Sequence, residues 1–96
     1  MSRVDFPPDS VVLDSEIPAV HPEKLATESA LRTALTGLSG RWSARILCSR
    51  ERDWWMVLVE GPKFRWAGFF RHSSEQTAQA VTARVTRALQ RAHLLG

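Results

Sequence analysis

The chain has 96 residues, 44% of them hydrophobic and 24% charged, enough for one globular core and too few for two domains. Its single cysteine, Cys48, excludes an intramolecular disulfide, the usual staple of a small secreted domain. No stretch approaches the roughly 20 apolar residues of a membrane span, so the expectation is a cytoplasmic protein with no membrane partner.

The net charge of +3 is unevenly spread. Residues 1–40 hold 3 basic and 6 acidic side chains, and residues 41–96 hold 10 basic and 4 acidic ones. A basic body attracts an anionic partner or the chain's own acidic leader. Arginine outnumbers lysine 11 to 2. Arginine offers planar, bidentate contacts to phosphate and carboxylate, although the codon composition of a GC-rich genome produces the same bias.

Residues 1–20 read as an extended or partly disordered leader. Pro7, Pro8 and Pro18 with Asp9, Ser10, Asp14 and Ser15 punctuate it, and Val11-Val12-Leu13 can add a short edge strand. Residues 21–96 read as one domain. Its first helix is predicted to begin at Pro22, a residue suited to the first helical position. Val20 and Leu25 are spaced for a hydrophobic staple. Leu25, Leu31, Ala34, Leu35 and Leu38 recur at helical spacing, and Gly37 and Gly40 offer a stop.

Three strands are predicted next. In residues 41–49, Trp42, Ala44, Ile46 and Cys48 alternate with polar neighbours. Residues 53–60 are apolar on both faces, as in a central strand. Residues 63–71 alternate again, and the polar turn at 50–53 and the Gly61-Pro62 turn separate the three strands. The last helix is expected from Ser73 or Ser74, with Ser73 and Gln76 as a capping box. Its buried stripe is Ala78, Val81, Val85, Ala88, Leu89, Ala92 and Leu95, with Arg84, Arg87 and Arg91 on a solvated side.

The predicted fold class is therefore α+β in the order α-β-β-β-α. It is a three-stranded antiparallel meander with both helices on one face, preceded by the extended leader. Loops of two or four residues place Ala44, Ile46 and Cys48 beside Trp55, Val57 and Val59, and those beside Phe64, Trp66 and Gly68. Trp55 then lies across from Gly68, an aromatic covering a glycine.

The other sheet face is the candidate partner-binding site. It carries Arg41, Arg45 and Leu47, then Trp54, Met56 and Leu58, then Lys63, Arg65, Phe69 and Arg71. An apolar centre with a basic rim differs from the polar surface of a solvated sheet face. Three covers are open: the leader through Val11, Val12, Leu13 and Ile17, a second copy of the chain, or a different partner.

Signals for catalysis or metal binding are missing. His21, His72 and His93 are scattered and lack ligand spacing. Cys48 reads as a small core residue. Neither cofactor nor metal is expected, and the chain is expected not to be an enzyme. Aromatics interleaved with arginine are also what single-stranded nucleic acid recognition uses.

Two resemblances bear on this second reading. The α-β-β-β-α order resembles a double-stranded-RNA-binding domain, whose last helix starts with basic residues where this chain has Ser73-Ser74-Glu75-Gln76. Trp66-Ala67-Gly68-Phe69-Phe70 followed by Ser73 to Ala78 resembles the strand-to-helix join of AP2-type DNA-binding domains, over less than a fifth of the chain. The first functional expectation is a non-enzymatic protein-interaction module, self-associating or joined to a protein partner. The alternative is a nucleic-acid-binding domain.

Overall fold

A computed structural model describes residues 10–94. The first nine residues of the leader, and Leu95 of the predicted helical stripe, lie outside the described residues. The elements are β1 (Ser10–Ser15), α1 (Lys24–Thr36), β2 (Arg41–Ser49), β3 (Trp54–Gly61), β4 (Phe64–Arg71), the single turn α2 (His72–Glu75) and α3 (Ala78–Arg91). One four-stranded sheet runs in the order β1-β2-β3-β4. Both long helices pack on each other and on one face of it.

The α+β class, the central meander and the one-sided helices agree with the sequence. The sheet is mixed, however, because β1 pairs with β2 in parallel. The apolar run Val11-Val12-Leu13 does form an edge strand, and α1 is the crossover that a parallel pair requires. Val11 and Leu13 face the core, and Ile17, just beyond the strand, is 2% exposed.

Helix α1 buries Thr27, Leu31 and Leu35, and Leu38 follows on the same line. Leu25 is 78% exposed and Val20 91%, so the expected staple does not form. The helix starts two residues later than predicted, at Lys24. Leu25 lies about 200° around it from Thr27, away from the core. The Lys24 ammonium ties the helix start down instead. It donates to the Ile17 carbonyl (2.9 Å) and pairs with Glu28 (2.7 Å).

The turns have four and two residues, within expectation. Ser49 faces Trp54 across the first, and Gly61 faces Phe64 across Pro62-Lys63. The tighter second turn slides β4 by two residues. Trp55 therefore sits opposite Phe70, and Val57 opposite Gly68, in place of the expected Trp55–Gly68 pair. A slip of two preserves which side chains share a face. Gly68 is still covered by an aromatic, the Trp66 indole of its own strand, whose ring atoms lie 2.6 Å from where a Cβ would stand. Gly61 likewise leaves room for the Trp42 ring, 2.5 Å from its absent Cβ. The Trp42 indole N–H donates to the Ser39 carbonyl (2.9 Å), so its burial leaves no donor unpaired.

The last helix departs from its expected start. His72–Glu75 form one turn with no side-chain cap. Gln76 is then pulled inward, its amide donating to the carbonyls of Phe70 (3.2 Å) and Asp53 (3.3 Å). Thr77 caps α3, its hydroxyl accepting from the Ala80 N–H (3.1 Å). Val81, Val85 and Leu89 are fully buried. Arg84 is not simply a solvated side chain: its guanidinium lies 4.3 Å from the centre of the Phe70 ring and donates to the Phe69 carbonyl.

Candidate interaction face

The sheet face opposite the helices is built by strand alternation. Residues whose neighbours enter the core point the other way. The register sets three cross-strand rows. Arg45, Leu58 and Ala67 form one, Leu47, Met56 and Phe69 the next, and Ser49, Trp54 and Arg71 the last. Row by row, the predicted residues Arg45, Leu47, Trp54, Met56, Leu58, Phe69 and Arg71 come together in one patch. Arg41 and Arg65 extend it toward the opposite end of the sheet. Lys63 does not belong to it. It sits in the turn with a left-handed φ of 59°, before β4 begins.

The centre of the face is aromatic and aliphatic. Trp54 and Phe69 meet edge to face at 5.4 Å, and the Arg71 guanidinium lies 6.0 Å from the Phe69 ring centre. Trp54, Met56, Leu58 and Leu47 are half-buried, while Phe69 is 45% exposed. They pack on one another, and no described helix packs on this side.

The described part of the leader does not cover the face. Residues 10–15 extend the sheet in its own plane, Val11, Leu13 and Ile17 turn to the helix side, and Val12 stands 63% exposed. What β1 adds is acid. Asp14 is the register neighbour of Arg45 on the adjacent strand. Glu16 follows and accepts from the Cys48 N–H (3.1 Å). A concavity of about 180 Å³ lies among Asp14, Glu16, Arg45 and Leu47. Farther along, Glu60 pairs with Arg65 at 3.3 Å. The rim is therefore mixed in charge, where the sequence reading made it basic. Of the missed acids, Glu60 lies on β3, while Asp14 and Glu16 arrive with β1, whose place beside β2 depends on a parallel pairing that alternation does not encode.

A second concavity of about 180 Å³ brings His21 and Cys48 to the end of the sheet, with Trp54, Trp55 and Gln76. A cysteine near a histidine invites a test for nucleophilic chemistry. Burial, with the Glu16 carboxylate behind it, pushes the Cys48 thiol up to about 11, the opposite of an activated thiolate. The His21 Nδ1 accepts from the Glu23 N–H (3.0 Å), which commits it to ordering the start of α1. Among the described residues, no group of three or more His, Cys, Asp or Glu side chains is arranged to hold a metal ion, and no helix is long and apolar enough to cross a membrane.

No protein-family model, curated protein or solved structure matches the chain.

Proposed function

We propose that this chain is a cytoplasmic, non-enzymatic protein-interaction module that self-associates through the open face of its sheet. The observation that carries the reading is the apolar centre around Met56, on a side that no described element covers. Aromatics, Met and Arg are the residue types enriched at protein interfaces. Trp54 and Phe69 are the natural anchors, because large aromatics in the middle of a patch dominate binding energy.

The test is sedimentation of the purified chain and of Leu58→Lys, with circular dichroism as the check on folding. Association of the parent chain and a folded, monomeric variant support the reading. A monomeric parent chain, or a variant that associates as before, overturns it.

The second reading is a nucleic-acid-binding surface using Arg41, Arg45, Arg65 and Arg71. The stacking platform of Trp54 and Phe69 favours it. Asp14, Glu16 and Glu60 on the same face weigh against it, because they repel the phosphates those arginines would neutralise. Its mark is anisotropy-detected binding to mixed-sequence DNA or RNA that collapses as salt rises.

A further inference from the structure

Strand β4 ends the sheet, and among the described residues no strand pairs with its outer edge. Pro62-Lys63 is a two-residue turn, so Gly61 and Phe64 exchange the first hydrogen bonds and every second residue of β4 follows them. The backbones of Arg65, Ala67, Phe69 and Arg71 therefore point outward. Two of these outward groups are occupied. The Arg84 guanidinium donates to the Phe69 carbonyl, and the Glu75 carboxylate accepts from the Arg71 N–H. Arg65, Ala67 and the Phe69 N–H remain open, a template for one more strand.

The helix side of this edge is basic. Arg84, Arg87 and Arg91 follow one another at helical spacing in α3, so they form one line along it. The Arg84 guanidinium lies 5.8 Å from the Trp66 ring centre, and a concavity of about 180 Å³ lies between Trp66 and all three arginines. The line thus runs beside β4 at the level of its open backbone groups. Helix α3 contains no acid, and none of its three arginines has an ion-pair partner among the described residues. The open-face side of the edge differs. There Arg65 pairs with Glu60, and the apolar Ala67 and Phe69, both exposed, follow along the strand.

These two features select the occupant. A strand added to β4 lies about 4.8 Å from it, with side chains alternating between the two faces. Those on the helix side come within reach of unpaired guanidiniums, which favour carboxylates. Those on the open side meet Ala67 and Phe69, which favour apolar groups. A second copy of β4 is turned away, because edge-to-edge pairing brings two arginine lines together. A nucleic-acid strand fits less well. Its phosphates would meet the arginines, but they would set oxygen acceptors against the open carbonyls of Arg65 and Ala67.

We infer that the outer edge of β4 binds an extended acidic peptide segment of a partner protein, which extends the sheet by one strand and sets its carboxylates against Arg87 and Arg91. Main-chain hydrogen bonds to the edge hold such a segment, and the alternate side chains give it specificity. The inference stands independently of self-association through the open face.

The test is fluorescence anisotropy at low salt with a dye-labelled peptide of alternating glutamate and valine. This probe should bind, and the same peptide with glutamine for glutamate should bind about tenfold more weakly. Arg87→Glu combined with Arg91→Glu changes two exposed side chains. The double variant should keep its circular dichroism spectrum and lose about tenfold in affinity for the glutamate peptide. Alternate N-methylation separates strand pairing from charge attraction, because only one set of alternate N–H groups on an added strand faces β4. Methylating the valine N–H groups in one peptide and the glutamate N–H groups in another should abolish binding in one case and spare it in the other. Equal effects of the two methylations, an unchanged affinity in the folded double variant, or no binding of the glutamate peptide at about 1 mM overturns the inference. So does a single-stranded oligothymidylate that binds more tightly than the peptide and depends on the same two arginines, which would make the line a phosphate-binding surface.

Discussion

Thr27 and Lys63 are among the described residues held in conditions that their chemistry disfavours. Thr27 is fully buried on the core side of α1, and its hydroxyl has no hydrogen-bond partner among the described residues. A buried hydroxyl left unpaired costs about 1–3 kcal/mol. Thr27→Val keeps the shape and removes the polar atom. We expect it to raise unfolding free energy by about 1 kcal/mol in urea titration, with no change in m-value. Lys63 holds a φ of 59° at the second position of a two-residue turn that Pro62 begins. Glycine is the residue such a position favours. Lys63→Gly should stabilise the fold by about 0.5–1 kcal/mol, after the larger entropy of the unfolded chain is counted. A thermal melt should then shift upward by several degrees, about 4–8 °C per kcal/mol in a domain of this size.

At the scale of elements, the join between β1 and α1 is held by a small polar cluster under cover. Lys24 donates to the Ile17 carbonyl and to Glu28, and Ser15 also donates to the Glu28 carboxylate. Burial raises the Glu28 carboxyl, but Lys24 and Ser15 together outweigh it and hold the group below its ordinary 4.5. A carboxyl held low in the folded state adds stability above its ordinary value and loses it as pH falls through the lowered one. The melting temperature should therefore decline on acidification below about pH 4.5. Glu28→Gln should be less stable at neutral pH and should lose less over that acid window. Equal slopes for the two chains would remove Glu28 from the acid transition. The break between α2 and α3 has a similar cause. The sequence offers serines at 73 and 74 as caps, but the Gln76 amide finds carbonyls of Phe70 and Asp53 that only the folded sheet presents.

For the whole molecule, the residues before α1 decide the shape. Ile17 is 2% exposed and belongs to the same core as Leu31, Trp55 and Val81. Ile17→Ala should cost about 2–4 kcal/mol in chemical denaturation, a large part of the 5–15 kcal/mol that holds a domain of this kind together. A loss near zero would show that the core closes without this segment. The candidate face depends on the same segment, because β1 brings Asp14 and Glu16 to an edge that would otherwise end at Arg45. Much of this architecture is legible in the sequence. Alternation over 41–49 and 63–71 sorts the side chains of both strands into core and open face, since neighbours on a strand point opposite ways. Helical spacing picks out Leu31 and Leu35, then Val81, Val85 and Leu89, as the helices' buried lines. Local chemistry goes no further than its own few residues. It allowed Trp55 to face Gly68, and only the formed Pro62-Lys63 turn set Phe70 there. It placed Leu25 in the core, because spacing alone does not say where the first turn of a helix points. The parallel pairing of Ser10–Ser15 with β2 joins residues about thirty positions apart. No local pattern marks such a contact, and the tertiary structure alone decided it, because only a packed α1 returns β2 alongside β1.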